Sequence, residues 1–406
     1  MGLPSFVKEF TLPPLEWHRA MRSWSRTMRD TQPVWYDEEH GNWRLFRYEH
    51  IVSVQSDSQT FSSEAHDEGH ERATSIIGMD PPRHQHLRSL VTQAFSARTI
   101  AQLAPSIQAI ATALVEPTLS AQQMDIVADL AIPLPVFVMS DMLGLPRENW
   151  QLFKAFSDAL VTRSSNRGEV KQIPIDEREL EKSAREVYAL FVHIVEEHRR
   201  YPRPNIMSLL LQAEVDGKHL SDAELYGFFV TLLVAGNITT TQLIGNAILC
   251  FDEHPDAWEQ LRQDPSLTPA AVEEILRYLP PNRSTGGDRT ATGGRIATTN
   301  VQLGGQLIRK GSSVYSTYIS ANFDEQQFPA PDRFDIRRSP NRHQSFGHGI
   351  HFCLGAPLAR LETKIALEVL LKLVPAWQLL REKPLEMLES HVIFGAKSLP
   401  IVFHGN

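Results

Sequence analysis

Phe346–Gly355 reads FGHGIHFCLG, and the fold turns on this stretch. A thiolate at Cys353 needs hydrogen-bond donors and positive potential to stay ionised near neutral pH. Gly347, Gly349 and Gly355 permit sharp turns and the close approach of a flat ligand. Beyond the cysteine, Leu358, Leu361, Ile365, Val369 and Leu373 keep helical spacing from a start near Pro357, a favoured first-turn residue. A helix beginning there aims its positive end at the sulfur and favours the anion. Free cysteines are most often buried core residues. Packing alone, however, does not call for three glycines, Phe346 and His351 around one cysteine.

The surrounding chain limits the alternatives. Its 406 residues are 42% hydrophobic and 22% charged, enough apolar material for a large core. The net charge of −8, from 40 basic and 48 acidic residues, disfavours nucleic-acid binding. Cys250 is the only other cysteine, which excludes a disulfide framework and a Cys-rich zinc or iron–sulfur centre. MGLPSFVKEFTLPPLEW lacks a basic-then-apolar leader. The most apolar run, Phe228–Cys250, is broken by Thr231, Asn237, Thr239, Thr240, Thr241, Gln242 and Asn246. A cytoplasmic, monomeric protein without a membrane anchor is expected.

Helical periods dominate residues 80 to 280 and 355 to 375, with β-rich portions near 30–60 and 281–320. PVWYD (33–37) and WRLFR (43–47) flank a His40-Gly41-Asn42 turn and read as a hairpin; further extended segments are expected at 301–307 and 313–319. Ser221 and Glu224 have capping-box spacing, and Pro255 ends the helix they open, a rod of roughly 48 Å. The polar segment 163–176 reads as a connection. The expected architecture is one mainly α domain over residues 1–406, with a minor β portion and a long central helix.

The cysteine stretch resembles the signature of the cytochrome P450 family, Phe-x-x-Gly-x-[His/Arg]-x-Cys-x-Gly, met by Phe346, Gly349, His351, Cys353 and Gly355. The resemblance implies that Cys353 ligates the iron of haem b (iron protoporphyrin IX), with Phe346 and Gly347 beside it and His351 on a propionate. VEEILRY is similar to the family's Glu-x-x-Arg helix through Glu274 and Arg277, and Arg333 of FPAPDRF would complete a structural Glu–Arg–Arg cluster. His84 and Arg88 of DPPRHQHLRSL, one helical turn apart, match the His-x-x-x-Arg pair that grips propionates. A further propionate cation falls at Arg295 when counted back from Gly304-Gly305; counted forward from Arg277, Arg283 and Arg289 stay open.

LLVAGNITTT (232–241) resembles the oxygen-binding segment Ala-Gly-x-[Asp/Glu]-Thr. Ala235 and Gly236 would leave room for dioxygen, and Thr239 would hold a water beside it. Ile238 stands at the usual acid position and cannot carry a proton. Three alternatives stay open: Asn237 and Thr239 organise water, the substrate supplies a polar group, or peroxide serves as oxidant. By resemblance Ile76, Ile77, Val234, Ala235, Thr239, Pro281 and Phe394 line an apolar substrate pocket. The implied activity is hydroxylation or epoxidation with O2, with electrons from a separate ferredoxin or flavodoxin and its reductase. Arg337, Arg338, Arg342, His343, Arg360 and Lys364 flank the thiolate loop as a docking surface or an ordinary solvated face. A peroxide-driven oxygenase and a non-catalytic binding module are the alternatives.

Overall fold

Ser221 opens the helix around which the chain is organised. Its hydroxyl accepts from the Glu224 amide, and the Glu224 carboxylate accepts from the Ser221 amide, so both free donors of the helix start are satisfied. In a computed structural model of the protein the helix runs Asp222–Glu253, and Pro255 starts the next, Pro255–Gln263. The structure describes residues 3–8, 12–64, 75–92, 95–165, 173–203, 205–215, 218–282, 294–382 and 384–403. Leu243–Phe251 are buried without interruption, the mark of a rod wrapped on all sides. Pro133–Leu143, Trp150–Ser165 and Ala356–Leu373 pack against it.

Ile126–Leu143 and Asp222–Glu253 are long and apolar enough to cross a bilayer. Most of each lies inside the fold, as expected of core helices. A contiguous apolar core reaches from Leu3 to Phe403.

The hairpin forms as Val34–Asp37 against Asn42–Leu45, with Gly41 at φ 63° in the turn. The second strand ends at Leu45, because Arg47 caps the helix Tyr48–Ser56. A five-stranded sheet takes Val34–Asp37, Asn42–Leu45, Ser313–Ser316, Gly294–Ala297 and Phe61–Ser62 in that order. Asn42–Leu45 and Ser313–Ser316 pair in parallel, and Val314 lies opposite Arg295 in the antiparallel neighbour. The extended segment expected at 301–307 is itself a hairpin, Val301–Leu303 with Gln306–Ile308, turning at Gly304-Gly305 with positive φ. The strand expected to reach 319 stops at Ser316, and Tyr318–Asn322 is helical.

Candidate functional site

The loop before Ala356–Leu373 is shaped by two glycines. Gly347 and Gly349 hold φ of 72° and 69°, the left-handed region that side chains oppose. A Cβ on Gly349 would also lie 2.2 Å from the backbone oxygen of Gln55, so the loop sits hard against the end of Tyr48–Ser56. The Cys353 amide closes the loop by donating to the Phe346 carbonyl at 2.9 Å. Cys353 opens onto an internal cavity. Its enclosed surroundings push the thiol up, while the Gly355 and Ala356 amides and the Arg88 and Arg360 guanidiniums pull the other way. The helix start thus supplies the donors the sequence called for. Arg360 also lies over the Phe346 ring, 4.5 Å from its centroid.

Four cationic or donor side chains converge on the same cavity. His84 and Arg88 come from Arg83–Thr92, Arg295 from its strand, and His351 from the turn Gly349–His351. The His84 and His351 rings are 4.2 Å apart. Burial, Arg88 and Arg295 lower the His84 pKa to about 4. Burial, Arg295, His84 and Arg88 lower that of His351 to about 3. Arg295 donates to Gln55 Oε1 at 2.8 Å, Ser63 Oγ lies 2.9 Å from His351 Nε2, and Arg88 reaches the Phe352 carbonyl. None of the four bonds a carboxylate among the described residues, and buried His84 Nε2 has no partner there. A ligand bearing two carboxylates would satisfy this cluster, so these residues fit the propionates of haem. Arg295 lines the cavity; Arg283 and Arg289 lie outside the described residues.

The cavity, about 310 Å³, continues from Cys353 to the long helix, where Ala235, Gly236, Thr239 and Thr240 line it, and on to Ile76, Ile77 and Pro281. Thr239 Oγ1 donates to the Ala235 carbonyl at 2.8 Å. Gly236 serves the packing as much as the cavity: a Cβ there would meet Met139 Cε at 2.4 Å.

Three expected residues do not join it. Asn237 is two positions from Thr239, hence about 200° around a helix, and lines a different cavity. Val234 packs with Ile238, Val392 and Ile393. Phe394 faces the core, its ring 5.1 Å from Trp17. Conversely, Gln55, which holds Arg295 across 240 positions of sequence, and Ser63 carried no sequence signal; only the tertiary fold brings them in.

Glu274 and Arg277 are fully buried and doubly bonded at 2.8 Å. The second arginine on Glu274 is Arg338, at 3.1 and 3.2 Å, and not Arg333. The Asp335 amide docks on Glu274, which turns Arg333 out to solvent, 73% exposed, and brings Arg338 in on the return. Arg338 therefore leaves the expected docking surface. Arg360 and His343 are paired with Glu273, and Lys364 with Glu368; Arg337 and Arg342 stay exposed.

The family described as Cytochrome P450 matches residues 18–374. The chain is 42% identical over 379 residues to the putative cytochrome P450 YjiB of Bacillus subtilis, covering 93% of this chain and 92% of that protein. It is 36% identical over 400 residues to the erythromycin C-12 hydroxylase of Saccharopolyspora erythraea, covering 96% of each. The crystal structure of CYP109E1 from Bacillus megaterium in complex with testosterone matches with a TM-score of 0.86 at 38% identity, covering 96% of this chain and 99% of that one.

Proposed function

The chain belongs to the cytochrome P450 family and is a haem-thiolate monooxygenase, and on that footing we propose that it inserts one oxygen atom of O2 into a bulky, largely apolar small molecule, with electrons from a separate ferredoxin or flavodoxin and its reductase. One observation carries the reading: Cys353, the four propionate-type donors and Thr239 share a single cavity.

When bound, haem supplies an iron centre at which dioxygen is activated, and a thiolate ligand favours O–O cleavage. Cys353 Sγ would hold the iron, and the Gly355 and Ala356 amides favour the anion against the burial that raises the thiol's pKa. Arg88, Arg295, His84 and His351 would orient the propionates. Thr239 Oγ1, by rotating from the Ala235 carbonyl, holds a water and its proton toward the cavity. Ile76, Leu232, Leu243 and Pro281 give the substrate an apolar wall. The relatives named for a macrolide hydroxylase and for a testosterone complex support a polycyclic or macrocyclic substrate.

The test begins with the carbon-monoxide spectrum of the reduced protein. We expect the long-wavelength Soret band of thiolate ligation, lost in Cys353→Ala; an unchanged spectrum in that variant ends the reading. Titration with testosterone and with erythromycin should then produce a spin-state change for at least one of them. No response to either would remove the substrate proposal while leaving the haem assignment standing.

Ile238 favours a second reading, oxidation driven by peroxide. It is packed against Val392 and Ile393, leaving an apolar surface where the family's usual acid stands. Turnover faster with peroxide than with NADH, ferredoxin and reductase would select it.

A further inference from the structure

Gln55 stands near the end of the helix Tyr48–Ser56, 3% exposed, and lines the Cys353 cavity. Its side chain is held at both ends. Nε2 donates to Ser316 Oγ at 3.0 Å, and Oε1 accepts from Arg295 Nη2 at 2.8 Å. The Arg295 bond needs the oxygen on that side, which fixes the amide's orientation. The Gln55 backbone oxygen is the atom that a Cβ on Gly349 would meet at 2.2 Å. One residue thus touches both the arginine of the propionate cluster and the loop that carries Cys353.

Arg295 is 7% exposed, and burial lowers its pKa. A buried cation is costly unless an anion pairs with it. Asp80, the carboxylate whose charge reaches it, makes no ion pair with it among the described residues. The two Asp80 oxygens already accept from the Ser62 hydroxyl and the Ser63 amide. The acceptors that hold Arg295 are both neutral, Gln55 Oε1 and the Gly294 carbonyl at 2.9 Å. They fix the guanidinium without neutralising it. A carboxylate at position 55 would hold it as firmly and cancel its charge.

On the haem reading above, we propose that Gln55 is a positioning residue for the cofactor. It aims Arg295 at a propionate and leaves that cation un-neutralised. Through Arg295 it sets how long haem stays bound and how readily the iron is reduced, since positive charge nearby favours the ferrous state.

The test compares the parent, Gln55→Leu, Gln55→Glu, Arg295→Leu and the double variant Gln55→Leu with Arg295→Leu, all haem-loaded. Haem transfer to an acceptor apoprotein and the ferric–ferrous midpoint potential are measured. Gln55→Leu should lose haem about tenfold faster, as a hydrogen bond to a charged group is removed. In the Arg295→Leu background the same change should add nothing, because Gln55 acts through that arginine. Gln55→Glu, nearly the same shape, should shift the equilibrium about tenfold toward the ferric form, or about 59 mV. This second measurement holds even where the leucine variant does not fold. Equal acceleration by Gln55→Leu in both backgrounds, the mark of mere packing against Gly349, overturns the proposal. Parent-like haem loss in Gln55→Leu, or a parent-like potential in Gln55→Glu, overturns it as well. Each of these results leaves the haem reading standing; a parent without the thiolate Soret band ends both.

Discussion

Removing Arg338 should destabilise the protein far more than removing Arg333. Glu274 accepts from Arg277 twice at 2.8 Å, from Arg338 at 3.1 and 3.2 Å, from Asn341 at 3.0 Å and from the Asp335 amide at 2.9 Å. Arg338 also donates to the carbonyls of Pro329, Ala330 and Arg333. Stripping a buried carboxylate of its cation costs about 3–5 kcal/mol. Arg277 stays behind in Arg338→Ala, so about 2–3 kcal/mol is expected. Arg333 is exposed and lies 3.5 Å from Asp335, a pair worth within about 0.5 kcal/mol. Urea unfolding of both variants, haem-loaded, measures the difference. Ser345 and Asn341, bonded to the Glu274 helix, lie just ahead of the Cys353 loop, so Arg338→Ala should also lose haem faster to an acceptor protein. An Arg333→Ala loss equal to that of Arg338→Ala would refute the assignment.

Gly349→Ala must set a methyl against the Gln55 backbone while keeping a positive φ; we expect at least about 3 kcal/mol of destabilisation and a purified protein largely without haem, read from its Soret-to-protein absorbance ratio. Ile238→Glu should raise product formed per NADH consumed, and an unchanged ratio would show that proton supply does not limit this enzyme. Burial pushes the Glu273 carboxyl up, but hydrogen bonds and charge from His343 and Arg360 outweigh it and hold the pKa at about 2. A folded pKa below the unfolded one gives stability that is full above about pH 4.5 and drains away as pH falls toward 2. The carboxylate is partly exposed, so this amounts to about 1–2 kcal/mol. Glu273→Gln should therefore unfold at lower urea than the parent at pH 7 and at the same urea near pH 2; parallel curves across that range would contradict the pairing.

What the sequence made legible was short-range. His84 and Arg88 share a helical turn, Gly349 and Cys353 share a loop, and Ser221 with Glu224 caps one helix; each pattern closes within a few residues. Arg333 was misplaced because FPAPDRF matches a motif by spacing, whereas the docking of the Asp335 amide decides which arginine turns inward. Arg337 and Arg338 were visible, but nothing local distinguishes them from solvated charges. Asn237, Val234 and Phe394 failed for a related reason: being near Thr239 in sequence, or on the right turn, does not fix which side a residue faces. Arg295, placed by counting back from Gly304-Gly305, lines the cavity, while its alternatives Arg283 and Arg289 lie outside the described residues.

The parallel pairing of Asn42–Leu45 with Ser313–Ser316 bears on how the molecule is made. A ribosome delivers the first strand about 270 residues before its partner, and Arg295 enters the same sheet almost as late. Until then the early hairpin keeps an unpaired edge, a surface prone to aggregation. Biogenesis thus has a fixed order: the nascent chain must be shielded through most of its synthesis, and capture of the cofactor can only follow translation of residue 353.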